Sequence, residues 1–401
     1  MLSVEQALEA ILARVPVLTT ERVDVLGALG RVLAEPVRAA RTIPPWANSS
    51  MDGYAVRAAD TGEGRTLAVV GRIAAGTMPA HGVGPGEAMR IFTGAPLPAG
   101  ADAVVPQEDV DAHDGHVRLR GAVQVAAFVR PEGEDVRDGD LVLAPGVRIG
   151  AAEVGLLATL GCSQVRVHRR PRVAILSTGN ELADLGTEPG PGQIPNTNTY
   201  SLLAQVAEAG GEGINLGVAP DRLDAIEGCL RRAEAADVLV SSAGVSVGEL
   251  DLVREALTRA GAELHLWKVS MRPGKPITFG SLGGRPVFGL PGNPVSAMVT
   301  FEVFVRPALM RMAGSRRLHR MRLPARALER IDNPGSRRAY LRVTLTAERG
   351  ELGARLTGGQ GSAVLRSMVL ADGLAVVAPA SSVPAGDLME VIVLRELTSQ
   401  S

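Results

Sequence analysis

The 401 residues are 46% hydrophobic and 21% charged, with a formal net charge of -1. Such a balance argues against a general nucleic-acid binder, and no apolar run approaches the roughly 20 residues of a membrane helix. The two cysteines, Cys162 and Cys229, make no disulfide framework and point to a reducing cytoplasm.

At roughly 100–200 residues per domain, two to four domains are expected. With 3% aromatics, their cores must be built from Val, Leu, Ala and Ile. At the N-terminus, Ser3 and Gln6 have capping-box spacing ahead of an amphipathic helix bearing Val4, Leu8, Ile11 and Leu12. This segment does not read as a signal peptide.

Residues 1–42 read as helix, and residues 146–168 turn helical again around Ala151–Thr159. Between them, residues 43–145 are rich in Gly, Pro and short Val-containing runs such as Leu67–Ile73, Ala103–Gln107 and Leu141–Leu143. Those are strand and turn signals, so 43–145 reads as a β-rich module inserted into a helical domain made of 1–42 and 146–168. At its entry, Asp52-Gly53 reads as a turn leading into an edge strand. At its exit, Arg130–Asp140 is dense in carboxylates, including Asp135. His113 and His116 lie in a polar turn, and without a Cys/His cluster a zinc site is not expected.

From residue 169 to 319 short apolar runs alternate with helical patterns. That rhythm predicts a three-layer α/β/α domain with a mostly parallel sheet. Val173–Leu176 and Val238–Val240 are apolar enough to be central strands buried on both faces. Residues 320–401 return to short alternating strands, such as Tyr340–Thr346 and Met389–Leu394, and predict a small C-terminal β domain. The expected fold class is therefore multidomain, α/β plus β, with a helical N-terminal region. The stretch Arg306–Arg342 holds eleven arginines against Glu329 and Asp332. It reads as a solvated face or an oligomer contact, with an anion-binding rim as the functional alternative.

Ligands of open parallel sheets bind outside the carboxyl ends of the strands. Four loops fall at such ends. The first, Ser177–Glu181, offers Thr178, Gly179 and the Glu181 carboxylate. The second, Ser241–Asp251, runs Ser242, Gly244, Ser246 and Gly248 into a helix start, where free N–H groups favour anions, and adds Asp251. Asp237, at the opposite strand end, reads as structural. The third holds Lys268, Arg272 and Lys275 around Pro273-Gly274; Lys268 and Lys275 are the only two lysines among 42 basic residues. Lysine is a compact point charge where arginine is a planar fork, so their survival here suggests an anionic group. The fourth, Gly289–Ala297, contains Pro291, Gly292 for a turn, Asn293 as a helix cap, Pro294 at the first helical position and Ser296. No dinucleotide fingerprint is present, because Gly211-Glu-Gly213 follows a helix, and there is no P-loop.

Taken together these segments resemble the MoeA family, molybdopterin molybdenumtransferases related to the E domain of gephyrin. The resemblance rests on Asn48–Arg57, Gly133-Glu-Asp135, Ser177–Leu182, Ser242–Gly248, Lys268 with Arg272–Pro276, and Leu290–Ala297. It implies an elongated homodimer of four-domain subunits. The active site would lie in a cleft between the α/β domain of one subunit and the β module of the other. The implied reaction inserts molybdate into adenylylated molybdopterin, with Mg²⁺ as cofactor and loss of AMP. Asp52, Asp135, Glu181, Asp251, Lys268 and Lys275 match the family's catalytic positions, with Glu181 and Asp251 as metal ligands. The resemblance also allows other cofactor-synthesis proteins as partners. A non-catalytic scaffold on the same fold and the adenylyltransferase step are the alternative readings. There are departures: Ala47 stands where Asp is common, Ser50 where Ala is usual, Asn180 replaces an Asp, Ala243 a Gly, and Arg272 is Lys in some members.

Overall fold

A computed structural model describes residues 1–242, 252–348 and 350–395. The chain divides into two compact units. One comprises Met1–Ala34, Pro145–Val154 and Gln164–Ser401, and the other Glu35–Ala144 with Gly155–Ser163.

The first unit is built around a six-stranded sheet. Its spatial order is Glu212–Ala219, Arg172–Thr178, Val238–Ser242, Arg285–Leu290, Pro276–Leu282 and Glu263–Lys268. The first four strands run parallel and Pro276–Leu282 runs against them. Glu263–Lys268 is antiparallel to Pro276–Leu282, so it ends on the same edge as the parallel strands. Side chains alternate between two cores, as a pleated strand requires. Val173, Ile175, Val238, Val240, Phe288 and Leu290 face one apolar cluster, while Ala174, Leu176, Leu239 and Val287 face another. The first cluster takes in Leu202 and Val206 and helical residues Val295–Met312; the second takes in Ile226, Leu230, Val253 and Leu257. This is the expected three-layer α/β/α arrangement.

Val4–Leu12 is helical, with both halves of the Ser3/Gln6 capping box formed. Its buried Val4, Ala7 and Ile11 join the first α/β core. The rest of 1–42 is not helix. Thr20–Asp24 pairs antiparallel with Gln164–His168. Val37–Arg38 pairs with Leu141–Leu143 inside the second unit. Partners more than a hundred residues away, invisible to local periodicity, decide these strands.

The C-terminal strands close on themselves. Arg338–Glu348, Glu351–Leu356, Arg322–Ala327, Leu388–Val393 and Gly373–Val377 pair in sequence, and Gly373–Val377 returns to Arg338–Glu348. Closure leaves no open edge around this ring. Met271–Arg272 adds parallel to Arg338–Ala339, tying the third candidate loop to the C-terminal strands.

The second unit has its own six-stranded sheet, ordered Ala103–Pro106, Gly53–Val56, Glu87–Ile91, Thr66–Ile73, His116–Leu119 and Val110–His113. Gly53–Val56 is therefore an interior strand rather than the expected edge. A Cβ on Gly53 would lie 2.0 Å from the Val105 carbonyl oxygen, so glycine is required by close backbone approach, not by a turn. The His113–His116 turn closes an exposed hairpin, as expected.

Candidate functional site

Three of the four loops leave neighbouring strands at one level. Ser177 pairs with Ser242, and Ser242 with Leu290, in adjacent parallel strands. The third loop joins them through the register of Lys268 with Pro276. All four candidate loops thus start on one sheet edge.

In the first loop, Ser177 and Thr178 are buried, and the Ser177 hydroxyl lies 2.7 Å from that of Thr199. Gly179 has φ +145°, and a Cβ there would lie 2.5 Å from a Glu181 carboxylate oxygen. Glycine lets the Glu181 side chain fold over the loop with its carboxylate exposed. Asn180 exchanges bonds with Asp221: its N–H donates to Asp221 Oδ2 at 3.3 Å, and the Asp221 N–H donates to Asn180 Oδ1 at 3.1 Å. Asn180 thereby fastens the loop to the exit of the neighbouring strand Glu212–Ala219.

The second loop is described as far as Ser242. Gly244, Ser246, Gly248, Asp251 and the departure at Ala243 lie outside the described residues. Asn198, on the helix Thr197–Glu208, reaches over this strand end. Its Nδ2 donates to Ser242 Oγ at 2.6 Å and to the Gly292 carbonyl at 2.7 Å. One amide thereby links the second loop to the fourth. Its Oδ1 is buried without a donor among the described residues.

In the third loop Lys268, Arg272 and Lys275 are exposed. Val269 N–H bonds the Lys275 carbonyl, closing the turn. Gly274 has φ +99°, and a Cβ there would lie 2.3 Å from the Thr300 hydroxyl. The turn is pressed onto the helix, which fixes where its cations emerge.

In the fourth loop Pro291 and Ser296 are buried, Gly292 and Asn293 exposed, and Pro294 opens the helix. Asn293 holds the N-cap position, but its side chain does not cap. It donates instead to Ser362 Oγ at 3.0 Å, while the Val295 N–H is taken by the Ser362 carbonyl. The C-terminal strands' own loop supplies the cap that the sequence assigned to Asn293.

That loop also surrounds a residue the sequence reading missed. Arg342 is completely buried, with no carboxylate beside it among the described residues. Its Nε donates to Ser367 Oγ at 3.0 Å and one Nη to the Gly361 carbonyl at 3.1 Å; the other Nη has no partner. Burial, and then the charge of Arg272, pull its pKa down to about 10. A buried cation facing a second cation is costly unless an anion joins them. The arginine-rich stretch is therefore not a uniformly solvated face.

Asp52 and Asp135 belong to the other unit. Asp52 Oδ1 accepts from both the N–H and the hydroxyl of Thr93, each at 2.8 Å. These bonds, the N–H foremost, hold its carboxyl below the ordinary range. Asp135 is exposed, and its N–H bonds the Ile43 carbonyl. Pairing of Val129–Arg130 with Asn48–Ser49 draws the two segments together.

Among the described residues no three His, Cys, Asp or Glu side chains form a metal cage. Mg²⁺ commonly uses one or two carboxylates with waters and substrate phosphates, so the exposed Glu181 suits a shared ion of that kind. The exposed cations, buried Arg342, small-residue loops and orphan Asn198 carbonyl suit a ligand with several anionic groups and a hydrogen-bond donor.

The chain matches three family descriptions: MoeA N-terminal region (domain I and II) over residues 2–161, probable molybdopterin binding domain over 174–311, and MoeA C-terminal region (domain IV) over 324–394. It is 37% identical to molybdopterin molybdenumtransferase 1 of Mycobacterium tuberculosis over 407 aligned residues, covering 94% of this chain and 95% of that one. It is 40% identical to molybdopterin molybdenumtransferase of a Nostoc species, covering 80% and 76%. The solved molybdopterin biosynthesis moeA protein of Pyrococcus horikoshii OT3 superposes with a TM-score of 0.86 at 28% identity, over 98% of this chain and all of that one. A second structure described as the moea protein of Pyrococcus horikoshii gives 0.81 at 33% identity, over 99% and 100%.

Proposed function

The chain belongs to the MoeA family, and from that premise we propose that it inserts molybdenum during molybdenum-cofactor biosynthesis, using adenylylated molybdopterin as acceptor. The observation that carries this reading is that four loops start on one sheet edge, the third bearing three exposed cations, while buried Arg342 lies in the C-terminal strand that pairs with that third loop. Molybdate is a dianion, and the acceptor carries phosphates. Lys268, Arg272 and Lys275 are the groups that hold them, aided by Arg342.

Thr178, Gly179, Ser242, Gly244, Ser246, Gly248, Pro291, Gly292, Asn293, Pro294 and Ser296 line the acceptor site in this reading. Asn198 holds two of these loops at a fixed separation. The dithiolene sulfurs form bonds to molybdenum as an oxide leaves, and the two thiol protons depart with it as water. Water then cleaves the phosphoanhydride, giving AMP and the molybdopterin phosphate. Glu181 and Asp251 are the residues proposed to hold Mg²⁺, which when bound neutralises phosphate charge. Asp52 and Asp135 complete the catalytic carboxylates. We further propose that the protein works as a homodimer in the cytoplasm.

The test is incubation of the purified protein with adenylylated molybdopterin, Mg²⁺ and molybdate. AMP release together with metal-loaded cofactor supports the reading. An intact adenylylated acceptor in the presence of folded protein refutes it.

A further inference from the structure

A cavity in the first unit lies away from the loop edge. It measures about 1210 Å³ and is walled by Arg148, Arg306, Arg316, Arg317, Arg320 and Arg395. Glu153 and Glu208 also line it, and Glu302 stands behind it. Three carboxylates thus meet six guanidinium groups. Arg320 is already committed: it grips Glu302 at 2.7 Å and Glu208 at 3.1 Å, and donates to the Leu394 carbonyl. Arg306 sits 3.9 Å from the same Glu302, and its Nε is buried without a hydrogen-bond partner. Arg148, Arg316 and Arg317 form no ion pair among the described residues. Burial, followed by the charge of Arg320, holds the Arg306 guanidinium below its ordinary pKa, and Arg148 adds to the effect. One side of the cavity is apolar, with Met310, Met321, Leu323 and Val393, and Met321 is 67% exposed.

We propose that this cavity binds a small organic phosphate. The phosphate meets Arg148, Arg306, Arg316 and Arg317, and an apolar or aromatic body lies against Met310 and Met321. Guanidinium forks match phosphate oxygens in pairs. A cavity of this volume accommodates a ligand of nucleotide size, since small-molecule pockets commonly run to roughly 300–1,000 Å³. Its recessed shape, and a net charge of -1 over the whole chain, disfavour a nucleic-acid strand, which needs an extended basic track.

The test is a fluorescence titration of the full chain with 1-naphthyl phosphate, set beside 1-naphthol and inorganic phosphate. The expected result is saturable binding of the ester, weakened about tenfold for either half alone, or 1.4 kcal/mol. A triple variant, Arg148→Ser with Arg316→Ser and Arg317→Ser, alters exposed side chains and should fold. It is expected to lose at least about tenfold in affinity, while Lys275→Met binds as the parent protein does. Equal binding by the triple variant, loss of binding in Lys275→Met, or inorganic phosphate binding as tightly as the ester overturns the proposal. So does absence of saturation in the parent protein, the result expected if a second copy fills the cavity.

Discussion

The Asn198 side chain donates to the Ser242 hydroxyl at 2.6 Å, and the same nitrogen donates to the Gly292 carbonyl. A helix residue thus holds two loops, from two strands, at one separation. Losing a bond to a buried acceptor costs about 1–3 kcal/mol. Asn198→Ala should therefore keep its fold but raise the KM for the molybdopterin substrate by about tenfold. Steady-state kinetics with a thermal melt checks this; an unchanged KM removes Asn198 from the account.

Arg342 sets stability against function. Its burial without a carboxylate makes the empty site expensive, and apolar replacement of such a charge is often neutral or stabilising. Arg342→Met is expected to melt no lower than the parent protein, yet to lose the upward shift in Tm that molybdate produces. A molybdate shift that persists in the variant contradicts the assignment.

Lys275 leaves a turn pinned by the contact between Gly274 and Thr300. Arginine keeps the charge but changes its size and donor geometry. Lys275→Arg should slow molybdate-dependent AMP release by about tenfold or more, with stability within about 0.5 kcal/mol of the parent, as expected for an exposed substitution. An unchanged rate shows that any cation suffices there.

Thr93 depresses the Asp52 pKa, so the charged form is favoured by folding. The sign follows: this contribution is present above the unfolded carboxyl pKa and lost as pH falls through the lower folded value. Thr93→Val removes the hydroxyl bond and keeps the N–H bond. The Asp52 titration, followed by carboxyl carbon NMR, should move upward without reaching that of a free carboxyl. No movement would show that the hydroxyl does not act on Asp52.

Gly53 and Asp52 are adjacent but should fail differently. A Cβ at Gly53 strikes the Val105 backbone in an interior strand, so Gly53→Ala should cost about 2–4 kcal/mol or prevent folding of that unit. Asp52→Asn keeps an oxygen that can accept both Thr93 bonds, so it should melt only slightly below the parent protein and lose turnover. Equal melting of both variants would contradict the strand placement.

The loops were legible because Gly, Pro, Ser and Asn interrupt Val-rich strands abruptly, as in Val173–Leu176 followed by Ser177-Thr-Gly. Asp237 was legible as structural, and it forms a two-pronged pair with Arg169 while accepting the Arg172 N–H. Arg342 was not legible. It stands in an alternating strand among ten other arginines, and only the segment carrying Gly361 and Ser367, folded over that strand, covers it. Asn198 sits in Asn196-Thr-Asn-Thr, where the first asparagine caps the helix, so the local pattern accounts for one residue and hides the other. The strands within 1–42 depend on partners such as Val165 and Val167, beyond the reach of any local window.

The most direct measurement counts products in one reaction. Purified protein, adenylylated molybdopterin, Mg²⁺ and molybdate are combined, and AMP and cofactor-bound molybdenum are quantified together. The account predicts that the two rise in equal amounts and that Lys275→Arg and Arg342→Met lower both. AMP release that proceeds unchanged without molybdate, or no molybdenum bound to the cofactor by folded protein, would contradict it.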